Sequence, residues 1–224
     1  MTRPDEQRRT EHLPVHELVV LVALASTSGV ALAAHILWDL SMTWLAGFVV
    51  LPASAFLVIV AFLGQGRTDR ARIFSNRIVA GALFGLIATV AYDTSRPLLV
   101  EIFGLDFNPY RAHPIFGSII TGKPETDDLA VGVGWAYHFW NGISFGMMLA
   151  LILPRAKWWQ GLIWAETLQF FMMMLYPRFL EVRLDDPAFL ATGLVGHGLY
   201  GIVLGHLLHR YGPTANRAIS WGRR

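Results

Sequence analysis

Four pairs of polar or ionisable residues sit three positions apart inside otherwise apolar runs: Asp93 with Arg96, His138 with Asn141, Glu166 with Gln169, and His197 with Tyr200. Such a spacing places both members on neighbouring parts of one helix surface. Ionisable groups at mid-bilayer cost about 2.5 to 3.5 kcal/mol each on insertion scales, so in lipid they are kept where they serve a purpose. Three chemistries fit them. His138, His197 and Glu166 suit a divalent metal such as zinc, with Asp93 or water completing the shell and a position open for reaction. The same groups could relay protons or ions, since buried carboxyls and histidines exchange protons near neutral pH. In the third chemistry they are structural, with Asp93 paired to Arg96 and Glu166 to His138 or His197 to fix helix register. A bis-histidine haem ranks behind these.

The chain has no cysteine, which removes disulfides, thiolate metal sites and cysteine nucleophiles. No G-x-S-x-G, phosphate loop, dinucleotide fingerprint or histidine-box array occurs, and whether the chain is an enzyme stays open.

These residues need elements to position them. The 224 residues are 54% hydrophobic and 15% charged, against about 25% charged in soluble domains. Mean hydropathy is +0.45. About 20 apolar residues span the hydrocarbon core, and segments at about 16–38, 41–63, 77–103, 129–153, 158–176 and 187–211 reach that length. The expected fold is an all-α integral membrane protein, one transmembrane domain over 1–224 built as a bundle of six helices. Strands of that length would leave backbone groups unpaired in lipid, and the runs do not alternate as barrel strands do.

Orientation follows from the basic residues. Of 18 Lys and Arg, Arg111, Lys123, Arg178 and Arg183 fall on one side and Arg96 inside a segment; the other thirteen flank the opposite side. The positive-inside rule puts both termini in the cytoplasm, with a short segment 1–15, an external loop at about 104–128 and a basic tail at 212–224. The external side is acidic, with Asp106, Glu125, Asp127, Asp128, Glu181, Asp185 and Asp186. A pI near 9.1 with a net charge of only +2 marks topology and no nucleic-acid partner. The partner is the lipid bilayer. The first segment has a rival reading as a cleaved signal peptide, since Arg8 and Arg9 precede it and Ala31-Leu32-Ala33 resembles a cleavage site.

Counted from the outer ends, His138, Glu166 and His197 share a layer roughly 13 to 16 Å deep. Asp93, Arg96 and His35 lie nearer the outer surface, so the constellation reads as a funnel open outward. The second segment carries no ionisable residue and is expected at the periphery. Inside the external loop, residues 115–120 form an apolar patch that is either a lid or part of a partly ordered loop, and His113 either caps the funnel or is a solvated loop residue. Gly81 with Gly85, Gly142 with Gly146, and Gly201 with Gly205 permit close helix approach and could also form a homodimer or membrane-complex face. His206 and His209 read as a solvated inner end, Met172 to Met174 as packing, and Trp158 and Trp159 as an interfacial anchor.

From about 137 to 210 the chain resembles the YagU-like group of uncharacterised bacterial inner-membrane proteins. The features are a His on the fourth segment, Lys157-Trp158-Trp159-Gln160-Gly161 opening the fifth, and Gly196-His197 on the sixth. The sequence departs from the group in the aromatic residues after His138. The resemblance implies a bacterial inner-membrane location and brings no activity. The sequence reading is therefore a polytopic inner-membrane protein with a buried His/Glu/Asp site open to the outer face, binding a metal ion or relaying protons. Its alternative is a structural or assembly subunit of a membrane complex. His138, Glu166, His197 and Asp93 form the candidate site, with Arg96, Asn141, Gln169, Tyr200 and His35 around it.

Overall fold

The computed structural model describes residues 14–66, 68–177, 179–180 and 183–218, with side chains up to residue 212. Arg3, Arg8, Arg9, Arg67, Arg178, Glu181, Arg223 and Arg224, which entered the reading of orientation, lie outside the described residues. So do most of the segment 1–15 and the last six residues of the tail.

The described residues form seven helices and no strand: α1 (Val15–Trp38), α2 (Met42–Leu63), α3 (Asp69–Phe103), α4 (Ala112–Thr121), α5 (Asp128–Ile152), α6 (Trp158–Leu175) and α7 (Pro187–Ala218). Four of them, α1, α2, α3 and the Pro187–Gly212 part of α7, are long and apolar enough to cross a membrane. Of 25 and 18 residues, α5 and α6 have the length but not the mean hydropathy. The deficit comes from their Trp, His, Asn, Gln and Glu residues, of which Trp158 and Trp159 are exposed and Gln169 is buried.

Local signals explain the boundaries. Asp39 in the left-handed region (φ 52°) ends α1, the His35 ring Nδ1–H donates to the Leu40 carbonyl at 2.8 Å, and Ser41 caps α2 at Trp44 N. A π turn at Ala46–Val50 precedes Pro52, whose ring cannot fit against a regular preceding turn. The stretch between the second and third expected segments, 64–76, is mostly helix, because Thr68 caps α3 at Ala71 N (3.2 Å) and Asp69 opens its first turn. Gly104 and Gly122, with φ of 59° and 71°, end α3 and α4. The expected tail boundary at 212 falls inside α7, which continues to Ala218.

Packing centres on α3. Its main neighbours are α7 and α5; α6 packs on α7, and α1 and α4 pack on α5. As expected, α2 is peripheral, with Trp44, Phe48, Leu51 and Phe62 more than half exposed. Small residues set the crossings. A Cβ at Gly81 would lie 2.7 Å from the Gly146 carbonyl oxygen, and one at Gly85 equally close to that of Gly142, so α3 and α5 touch backbone to backbone. Gly161 does the same for α6 against Gly201 and Gly205 of α7. All three glycine pairs lie at helix crossings within the chain.

Candidate functional site

The α3–α5 crossing puts Asp93 and His138 opposite one another. Nε2 of His138 lies 3.0 and 2.9 Å from the two carboxylate oxygens of Asp93, with the side chains 16% and 10% exposed. Arg96, one turn along α3, holds Nη1 4.0 Å from the same carboxylate. Its guanidinium carbon sits 4.6 Å from the centre of the Tyr92 ring, a cation–π contact, and its Nε is buried with no partner. Pro97 lies within α3, so the Asp93 carbonyl lacks the amide that would have bonded it. The Tyr110 hydroxyl donates to that oxygen at 3.0 Å.

The third member of the cluster comes from α4, in the connection between α3 and α5. Gly117 of α4 meets Ala130 of α5, and Gly134 of α5 meets His113 of α4, so closely that a Cβ at either glycine would overlap the opposing carbonyl oxygen. Only glycine at both positions lets α4 lie this close. His113, 1% exposed, is thereby held against His138 and Trp135, with ring centres 4.3 and 4.0 Å away and the rings tilted by 37° and 56°. The His113 ring Nδ1 is buried without a hydrogen-bond partner. Burial, then the nearby His138 and Arg96, push the His113 imidazolium down to about 2, which keeps the ring neutral. One ligand atom each from Asp93, His113 and His138 all lie within 4.8 Å of one another.

The cluster borders a cavity of about 130 Å³ lined by residues of α3, α4, α5, α6 and α7. Arg96, Asn141, Gln169, His197 and Tyr200 all line it, as does His138. The ring of His197 meets Tyr92 edge-on at 4.8 Å, and His197 Nδ1 bonds the Gly193 carbonyl at 2.9 Å. The Tyr200 hydroxyl donates to the Gly142 carbonyl at 2.7 Å, the Gln169 amide packs on Gly193, and Asn141 Oδ1 is buried without a partner.

Thus the structure brings together Asp93, Arg96 and His138, places His197 across Tyr92 from His138, and adds His113. It sets two candidates apart. Glu166 Oε1 faces the α6–α7 crossing, 3.1 Å from where a Cβ on Gly198 would stand, and Glu166 does not line the cavity. Among the described residues no hydrogen bond links Glu166 to either histidine. His35 closes the α1–α2 turn and packs edge-on against Phe179 at 5.9 Å.

What the arrangement can do follows from its donors. Two imidazoles and a carboxylate converge from three separate elements beside a mostly apolar cavity, the donor set that divalent metals of the zinc type prefer. Compared with known protein families, with curated proteins and with solved structures, the chain shows no match. The site's chemistry is therefore read from its own residues.

Proposed function

We propose that this is a multi-pass membrane protein in which Asp93, His113 and His138 hold a divalent metal ion of the zinc type beside an intramembrane cavity. The supporting observation is the convergence of the three donors within 4.8 Å, with the buried His113 Nδ1 lacking any partner. Donors around tetrahedral zinc stand about 3.3 Å apart, so binding asks the widest pair to close by up to about 1.5 Å while Asp93 and His138, already at 2.9 Å, open slightly. The neighbouring Arg96 adds a positive charge, so a divalent ion with Asp93 leaves a net charge of about +2 in an apolar interior. That favours an anionic fourth ligand or an anionic substrate entering from the cavity.

In this reading α5 and α6 also cross the bilayer, making six spans. Their length supports it, and so does the placing of His138, Asn141 and Gln169 toward the cavity, away from lipid. The distribution of Lys and Arg supports termini on the cytoplasmic side, and the YagU-like motifs support a bacterial inner membrane.

A second reading has its own observation. Asp93 already bonds His138 through its carboxylate and Tyr110 through its carbonyl, which ties α3, α5 and the segment before α4 together. On that reading the cluster is a structural clasp in a membrane-complex subunit.

Thermal unfolding of the detergent-purified protein with added zinc separates the two. At about 100 times its dissociation constant a bound ion stabilises by about 2.7 kcal/mol. The metal reading predicts such a stabilisation in the wild type and its loss in His113→Ala. The clasp predicts no response to zinc, because every polar contact it needs is already made.

A further inference from the structure

The cavity has features that the Asp93 cluster does not use. Its volume, about 130 Å³, is close to the roughly 150 Å³ of an engineered apolar cavity that takes one benzene molecule. Phe145, Phe189 and Tyr176 contribute flat aromatic wall. Several polar side chains line this ring-sized space, and two of them, His197 of α7 and Arg96 of α3, bear on what it takes. His197 Nδ1 bonds the Gly193 carbonyl at 2.9 Å; a carbonyl only accepts, so in the neutral ring Nδ1 carries the proton and Nε2 is a bare acceptor. No protein group bonds that Nε2 among the described residues. Arg96 is the second group. It is 8% exposed, its Asp93 partner stands at 4.0 Å without a hydrogen bond, and its charge lies against the Tyr92 face. An acceptor and an incompletely paired cation thus flank an apolar space of one ring.

Few groups satisfy both. An ether or ketone offers no proton to Nε2, and a plain hydrocarbon leaves both polar groups without partners, at about 1 to 3 kcal/mol for an unmet buried group. An aromatic hydroxyl donates through its O–H, carries partial negative charge on its oxygen, and presents a flat apolar ring to the aromatic walls. We propose that this cavity binds a single hydroxylated aromatic ring from the lipid phase, its O–H donating to His197 Nε2 and its oxygen facing Arg96. The ring could belong to a free phenol or to the headgroup of a membrane quinol. The site needs no metal, so it stands or falls apart from the Asp93–His113–His138 reading.

The experiment is ¹⁹F NMR titration of 4-fluorophenol, 4-fluoroanisole and fluorobenzene into the full chain in lipid nanodiscs, with empty nanodiscs measuring simple partition. The proposal predicts saturable binding of 4-fluorophenol beyond empty discs, at least about tenfold tighter than 4-fluoroanisole, which keeps the ring and loses the donor. The ligand comparison is made on the wild type and so needs no variant to fold; His197→Phe is expected to abolish the preference. Protein stripped of metal with EDTA should bind the phenol as well as untreated protein. Displacement by a decyl-substituted hydroquinone would name a quinol headgroup as the source, and displacement by 4-methylphenol alone would name free phenols. No saturable binding over empty discs, equal binding of fluorophenol and fluoroanisole, or an undiminished preference in His197→Phe would overturn the proposal.

Discussion

The Tyr110 hydroxyl donates at 3.0 Å to the backbone carbonyl of Asp93, the acceptor that Pro97, four residues further on, cannot bond. A residue of the connection between α3 and α4 thus completes the helix that carries the site. Tyr110→Phe should cost about 1 kcal/mol in unfolding free energy, the usual worth of one hydrogen bond. In a Pro97→Ala background, where α3 can supply its own amide, the same substitution should cost markedly less. Equal costs in both backgrounds, measured as a double-mutant cycle by denaturant titration, would mean that the bond does not replace the missing helical one.

The α4–α5 contact makes a prediction about glycines. Gly134→Ala would drive a methyl into the His113 carbonyl, and overpacking of this kind costs about 1 to 3 kcal/mol. Gly132, two residues away on α5, has nothing within 4 Å of a Cβ. Gly132→Ala should therefore be neutral or stabilising by up to about 1 kcal/mol through helix propensity. The thermal midpoint of Gly134→Ala should fall while that of Gly132→Ala holds or rises.

The buried charges predict an order among variants. Asp93→Asn leaves Arg96, 8% exposed, without its counter-charge, and breaking a buried pair from one side costs about 3 to 5 kcal/mol. The 4.0 Å separation places the expectation at the lower end of that range. Removing both charges, Asp93→Asn with Arg96→Met, should restore part of the folded yield. A double variant less stable than Asp93→Asn alone would show that Arg96 contributes through packing on Tyr92 more than through its charge.

Glu166 supplies the contrast within the candidate set. Because its carboxylate faces Gly198, Glu166→Gln should leave the zinc-induced rise in thermal midpoint unchanged, while His138→Ala removes it. A loss in Glu166→Gln equal to that in His138→Ala would place Glu166 among the ligands.

Particular residues show how much of this was legible in the sequence. The starts of α5 and α6 were readable to within a residue, because Asp127 caps Leu129 N at 2.9 Å and Gln160 reaches back to Lys157 N at 2.8 Å. The start of α3 was not, since the charged run after Thr68 read as a loop although Thr68 and Asp69 are helix-opening residues. Asp93, Arg96 and His138 were found because charge inside an apolar run needs a reason. The structure places Glu166 apart from His138. A spacing of three falls about 60° short of a full helical turn, so Gln169 can line the cavity while Glu166, on the same helix, faces the crossing with α7. The sequence leaves His113 as either a cap or a solvated residue, because its segment is too short for periodicity to mark as a helix. Its available signals were Pro114 in a first turn, Gly122 as a stop, and Gly117 and Gly134 as a matched close approach.

The most direct test of the central claim is elemental analysis of the protein purified in detergent without chelator, with wild type, His113→Ala and Glu166→Gln run side by side. Near-stoichiometric zinc or a similar divalent metal in the wild type and in Glu166→Gln, lost from His113→Ala while that variant stays folded, is the result the Asp93–His113–His138 site predicts. A wild type that is metal-free and takes up no zinc on addition, or a folded His113→Ala that keeps its metal, would contradict it.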